Sequence, residues 1–247
     1  MTGTLTIVGL GPGGPAHRTH AAEDAVRDAQ VIIGYSSYLE ACADLTGAHQ
    51  MLVPGAIGAE EQRAVDAVHA AADGARVTLV SSGDAGIYGM AALALATAAA
   101  LPAQRRPEVR VVPGVTAASA AGALLGAPLA RDFACVSLSD LLCAWESVES
   151  RLRAVAAADL VLALYNPRSA RRPWQLDRAL QVLAEHRPGE TPMGLVTDAG
   201  REGERVELTT LAELDPSRAS MRTVIIVGSS QTTRIGDWLI TARSLAA

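Results

Sequence analysis

A chain of 247 residues, 49% of them hydrophobic and only 3% aromatic, can bury one large or two small cores and is not disordered. Its net charge of −5 withholds the basic surface that a nucleic-acid backbone demands, although a local pair such as Arg171 and Arg172 can still meet an anion or simply form a solvated turn. Cys42, Cys135 and Cys143 lack the spacing of a disulfide framework or a zinc site, and no ligand set calls for any other metal.

The elements read in chain order as follows. Residues 5–10 (LTIVGL) form an apolar, β-branched strand that runs into a Gly/Pro loop. Residues 19–29 have helical spacing, 31–34 (VIIG) read as a buried strand, and 59–73 as an Ala-rich helix. A strand at 76–81, a helix at 90–100 and a strand at 109–112 complete an alternation that predicts a parallel sheet with both faces covered. The segment 113–131, rich in Gly, Ala and Pro, marks a domain junction, which divides the chain into 1–115 and 116–247. Beyond it, strands are expected at 134–138, 160–165, 193–197, 205–209 and 223–227, with helices at 146–157 and 174–186. The polar strand at 205–209 fits an antiparallel edge. The expected class is α/β, two αβα domains with mainly parallel sheets and a ligand cleft between them. Residues 90–101 are too short to span a bilayer and the N-terminus does not read as a signal peptide, so a cytoplasmic protein without membrane attachment is expected.

Three loops follow strands of the first half. Residues 9–14 (GLGPGG) fit the G-x-G-x-x-G dinucleotide pattern, but Pro12 and Pro15 have no N–H to give a pyrophosphate. No acidic residue stands near Gly34-Tyr35 to hold a ribose. A tight turn explains these glycines as well. Residues 81–89 (SSGDAGIYG) combine three glycines with the carboxylate of Asp84, and 113–117 (PGVTA) supply the third loop. Taken alone, they describe a ligand-binding α/β enzyme.

In combination these segments resemble the tetrapyrrole methylase family. The matching pieces are VGLGPGGP (8–15), SSGDAGIYGMA (81–91), VVPGVTAASAAGALLGAPLARDF (111–133) and MRTVIIVGSS (221–230), in family order across nearly the whole chain. SLSDLL (137–142), Trp145-Glu146, Arg151-Leu152 and LYNPRS (164–169) resemble the branch that methylates C17 of precorrin-3B. Two departures stand in the first loop: Gly14 replaces an Asp of the family, and His17-Arg18-Thr19 replaces an apolar residue and Thr. These predict altered loop contacts.

The resemblance implies S-adenosyl-L-methionine as methyl donor, a tetrapyrrole substrate and a homodimer, with ring contraction to precorrin-4 accompanying transfer. Position by position, it implies that Gly83, Asp84, Ile87, Thr116, Ala117 and Asn166 bind the cofactor. Asp84 also suits an Asx turn, and Thr116-Ala117 a helix start. Tyr88, Ser139 and Asp140 are candidates for proton transfer; Asp140 alternatively caps a helix. Gly11, Pro12, Arg131 and Arg168 are candidate substrate contacts. His17 and His20, three apart, suit solvated side chains better than a metal site. The alternatives are a cobalt-precorrin-3 methyltransferase, a relative with a diphthamide or RNA acceptor, a nicotinamide-dependent oxidoreductase built on the first loop, and a noncatalytic binding module.

Overall fold

The computed structural model describes residues 2–242; the outermost residues of both expected domains, 1 and 243–247, lie outside the described residues. The chain divides into two compact units, Met1–Ala117 and Ala118–Ala247.

The first unit contains β1 (Thr4–Gly9), α1 (His20–Arg27), β2 (Val31–Tyr35), α2 (Ser36–Glu40), β3 (Met51–Gly55), α3 (Glu60–Ala72), β4 (Arg76–Ser81), α4 (Ala91–Ala100) and β5 (Glu108–Val112). Its sheet has the order β3-β2-β4-β1-β5, and every pairing is parallel. Alternate residues of each strand serve opposite faces. Leu5, Ile7, Val77 and Leu79 pack with Ala64, Val68 and Ala71 of α3 and with Ala91, Ala94 and Ala98 of α4. Val8, Val80, Ile32 and Val112 pack with Ala22 and Val26 of α1. Alanine at these helix positions allows close approach to the sheet, which is how so few aromatics suffice. Thr19 caps α1 by accepting the Ala22 N–H at 3.1 Å, an interaction that stabilises a helix by about 1 kcal/mol.

Two features of this sheet place the loops. Gly9 stands opposite Ser81 and Val8 opposite Val112, so β1, β4 and β5 end in step. The neighbours β1 and β4 also send their following helices to opposite faces, the condition that opens a crevice at the carboxyl ends of a parallel sheet.

The second unit holds most of α5 (Ala117–Leu124), then β6 (Gly126–Ala127), β7 (Phe133–Ser137), α6 (Trp145–Ala157), β8 (Val161–Tyr165), α7 (Gln175–Ala184), β9 (Pro192–Thr197), β10 (Arg205–Thr210), β11 (Thr223–Val227), β12 (Thr232–Ile235) and β13 (Trp238–Thr241). The larger sheet runs β10-β9-β11-β8-β7, and β12-β13-β6 form a smaller one. Leu152 and Val148 of α6 and Leu176, Val182 and Leu183 of α7 bury against Leu162, Leu164, Leu195 and Ile225.

The α/β class with mainly parallel sheets holds for the chain, and the antiparallel pairings all fall in this unit. There β7–β8 and β13–β6 pair in parallel, whereas β8–β11, β11–β9, β9–β10 and β12–β13 are antiparallel. Buried strands read as continuous apolar runs whichever way they pair, so hydropathy did not carry the direction. Arg205–Thr210 is indeed an antiparallel edge strand.

Candidate functional site

The three glycine-bearing loops of the first unit meet at one end of its sheet. Gly11, at φ +80°, and Gly83, at φ +63°, exchange backbone hydrogen bonds of 3.0 and 2.8 Å. The Leu10 N–H donates to Ser81 O at 2.9 Å. The Asp84 carboxylate then joins the second loop to the third: one oxygen accepts the Gly86 N–H at 2.7 Å and the other the Gly114 N–H at 2.9 Å. Packing is so close that a Cβ at Gly114 would stand 2.2 Å from Gly83 O. Asp84 is therefore an Asx-turn residue and a tie between loops; as a carboxylate it keeps lone pairs for a further donor.

This geometry separates the loop from a dinucleotide site. The Gly11 amide is spent on Gly83, and the loop enters a short 3-10 turn, Pro15–His17, before α1 starts at His20. His17 and His20 thus belong to different elements, not to one helix face. The departure at 17–19 has a visible consequence: the buried Arg18 guanidinium forms two bonds to Asp44, at 2.8 and 2.9 Å, and donates to Ala41 O. Asp44 is held below the usual carboxylate range by that guanidinium.

Gly11, Pro12, Gly83, Asp84, Ile87, Tyr88 and Thr116 lie on these loops, and Ala117 opens α5 directly after the third. A Cβ added at Gly83 would find its nearest atoms 3.9 Å away, on Val115, Thr116 and Ala117. The result is a shallow cradle of backbone and small side chains, bordered by one carboxylate. An adenosyl group and a cationic amine fit such a donor set. Tyr88 is half-exposed at φ 53°, a conformation that bulky residues rarely take. Such outliers concentrate where function over-determines the backbone.

A second cluster occupies the ends of β7 and β8 in the other unit. Asn166, also at φ 53°, donates through its side chain to Ser137 Oγ at 3.0 Å, and Ser137 Oγ also accepts the Ser139 N–H at 3.2 Å. Asp140 accepts from the Gln175 side chain at 3.0 Å. It does not cap α6, whose N-cap position is Ala144; the intervening loop carries Asp140 to Gln175 instead. Arg168 pairs with Asp177 at 3.1 Å, and Arg131 is exposed. The structure therefore gathers Asn166, Ser139, Asp140 and Arg168 around one pair of strand ends, with Arg131 on the approach to β7.

Sequence reasoning gave no role to Ser137 or Gln175 and left Arg172 open between an anion contact and a solvated turn. Ser137 is the hinge acceptor of the β7 end, Gln175 is buried at the start of α7, and Arg172 is buried, not part of a solvated turn. The signal lay in the density of polar residues following two apolar strands. Among the described residues, no group of three metal-ligating side chains exists and no helix is long and apolar enough to cross a membrane.

Comparison with known proteins agrees with this geometry. Residues 4–215 match the family described as Tetrapyrrole (Corrin/Porphyrin) Methylases. The chain is 42% identical over 236 residues to the probable cobalt-factor III C(17)-methyltransferase of Salmonella typhimurium, covering 96% of both. It is also 42% identical over 233 residues to the precorrin-3B C(17)-methyltransferase of a Sinorhizobium species, covering 94% of this chain and 91% of the relative. Its fold superposes on the crystal structure of the methyltransferase CobJ with a TM-score of 0.92 at 37% identity, covering 98% of this chain and all of that one. The uroporphyrin-III C-methyltransferase of Thermus thermophilus, solved with S-adenosylhomocysteine, gives 0.69 at 25% identity over 92% of each chain.

Proposed function

Because this chain belongs to the tetrapyrrole (corrin/porphyrin) methylase family, we propose that it methylates C17 of precorrin-3B, with ring contraction to precorrin-4. S-adenosyl-L-methionine-dependent methylation within the C17 branch of cobalamin biosynthesis is its activity; the acceptor's metal-free state and the contraction are our reading. The observation that carries it is the loop convergence around Asp84, which binds Gly86 and Gly114 at once.

The cofactor supplies a sulfonium-activated methyl group when bound, so the protein's task is alignment and exclusion of water. In this reading Gly83, Asp84, Ile87, Thr116, Ala117 and Asn166 hold the cofactor, with Asp84 directed to its ammonium group. Gly11, Pro12, Arg131 and Arg168 contact the macrocycle and its carboxylates. Tyr88, Ser139 and Asp140 move protons during contraction. The chain works as a cytoplasmic homodimer; light scattering reads its mass directly.

The test is incubation of the purified chain with S-adenosylmethionine and precorrin-3B, followed by mass and NMR analysis. A product methylated at C17 with a contracted ring is expected. The equal identity to the Salmonella cobalt-factor III relative favours a second reading, methylation of the cobalt-loaded intermediate. Conversion of the cobalt form alone would replace our choice with that one.

A further inference from the structure

Arg172, in the loop between β8 and α7, is only 4% exposed, yet its terminal nitrogens meet one carbonyl and one sulfur and, among the described residues, no carboxylate within ion-pair distance. One terminal nitrogen donates to Asn166 O at 2.7 Å; the other lies 2.7 Å from the sulfur of Met221. None of the ion pairs among the described residues includes Arg172. Asp140 is near enough to favour its charge but gives its hydrogen bond to Gln175, and burial pushes the Arg172 pKa down. A cation removed from water without an anionic partner is a costly arrangement, normally relieved by pairing.

The other buried arginine of this unit shows the contrast. Among the described residues Arg187 also forms no ion pair and its Nε has no partner, but both of its terminal nitrogens donate to carbonyls, of Gly228 and Leu160, strong acceptors that make it a clamp between chain segments. A thioether is a weak acceptor. Met221 is half-exposed, and a methionine side chain has three rotatable bonds with which to move aside. The cap over Arg172 is thus an easily displaced group at the surface, sitting where an anion would bind far better.

We propose that Arg172 is a carboxylate-binding residue whose outer nitrogen is covered by Met221 until an ionised acetate or propionate side chain of the tetrapyrrole takes the sulfur's place. The assignment deepens the function proposed above and rests on it for the substrate class. It also gives the Asn166 turn a second role, because the same guanidinium that meets the substrate holds the Asn166 carbonyl.

The test uses the full chain and three ligands. Uroporphyrin III, followed by its fluorescence, reports tetrapyrrole binding; S-adenosylhomocysteine, followed by calorimetry, reports the cofactor site; precorrin-3B turnover gives KM and kcat. Arg172→Gln is expected to weaken uroporphyrin binding and raise KM by about 10- to 100-fold, the range of a lost charge-assisted hydrogen bond; because it also releases the Asn166 carbonyl, cofactor affinity should fall too, but by less than uroporphyrin affinity. Arg172→Lys should recover part of that loss. Met221→Ala, which uncovers the guanidinium, should tighten uroporphyrin binding about two- to fivefold. Arg218→Gln, removing an exposed arginine paired with Glu207, controls for net charge and should change binding less than about twofold.

An Arg172→Gln protein with native melting and unchanged uroporphyrin affinity overturns the proposal. So does loss of folding in both Arg172 variants combined with unchanged binding in Met221→Ala, which would make Arg172 a clamp like Arg187. A different failure is recognisable: if the wild-type chain methylates neither precorrin-3B nor its cobalt form, yet uroporphyrin binding still depends on Arg172, the function falls and the carboxylate site stands.

Discussion

The carboxylate of Asp84 holds the amide of Gly114 at 2.9 Å, across thirty residues of sequence, while its second oxygen holds Gly86. Replacing Asp84 with Ala strands the part-buried Gly114 donor and hands the exposed Gly86 N–H to water. A loss of about 1–3 kcal/mol of stability is expected, together with at least about a tenfold loss of S-adenosylhomocysteine affinity. Asp84→Asn should fall between, since its amide oxygen can serve one donor while its NH2 opposes the other. Urea unfolding and calorimetry read the two quantities separately.

Gly114→Ala tests the closeness of the same loops. The added methyl would stand 2.2 Å from Gly83 O and 2.6 Å from Gly9 O, both backbone atoms that cannot rotate away. Overpacking of this kind costs about 1–3 kcal/mol. We expect the upper end of that range, with cofactor binding lost at temperatures where the protein remains folded.

Asn166 combines φ 53° with a 3.0 Å side-chain bond to Ser137. Asn166→Gly keeps the backbone freedom and loses only the bond, whereas Asn166→Ala loses the bond and is strained by about 1–2 kcal/mol. Thermal melts should rank wild type above the Gly variant and the Gly variant above the Ala variant. Equal stability of the two variants would contradict the observed turn.

Acid should weaken the packing of α6 on α7. Glu149 binds Arg178 and Arg153, and these arginines, Arg178 first, hold its carboxyl down at about 2 against an ordinary 4.5. A depressed carboxylate contributes stability above its unfolded value and loses it as pH falls through the folded one. The contribution is therefore complete above about pH 5 and fades between about 4.5 and 2. Glu149→Gln should have a lower urea midpoint than wild type at pH 6, and the two should converge near pH 2. The group is partly open to solvent, so high salt should narrow the difference too.

The thiols should report burial. Cys42 is fully buried, and desolvation pushes its pKa up to about 11. Titration with a disulfide reagent at pH 8 is expected to leave Cys42 unmodified in the folded chain and to modify it after unfolding in urea. Rapid reaction of Cys42 in native protein would mean that the α1–α2 side of the first unit opens readily.

Much of the molecule was legible in the residues, for reasons that can be located. Arg76–Ser81 and Thr223–Val227 were delimited correctly because each is an apolar run cut off by turn formers. Met51–Gly55 escaped notice: it is an edge strand with exposed Met51 and Leu52 and contains Pro54, so it has neither alternation nor strand-like composition. The start of α5 at Ala117 was legible, but its length was not, because its Ala and Gly residues read as a junction. The loop residues of the first unit stood out through glycine and aspartate spacing, but the partners of Asp84 did not, since nothing local ties residue 84 to residue 114. Arg172 stayed undecided between an anion contact and a solvated turn for a related reason. Burial of an arginine depends on what the rest of the chain lays over it, here Met221 from the start of β11.

The matched endings of β1, β4 and β5 also bear on biosynthesis of the protein. Their three turns come from stretches around residues 9, 83 and 114, so a nascent polypeptide released only as far as α4 has two walls of its pocket and lacks the third. Adenosyl ligands should consequently give no help to early translation intermediates. In the proposed site they should protect the chain only once the segment after β5, and then Asn166 after β8, have left the ribosomal tunnel.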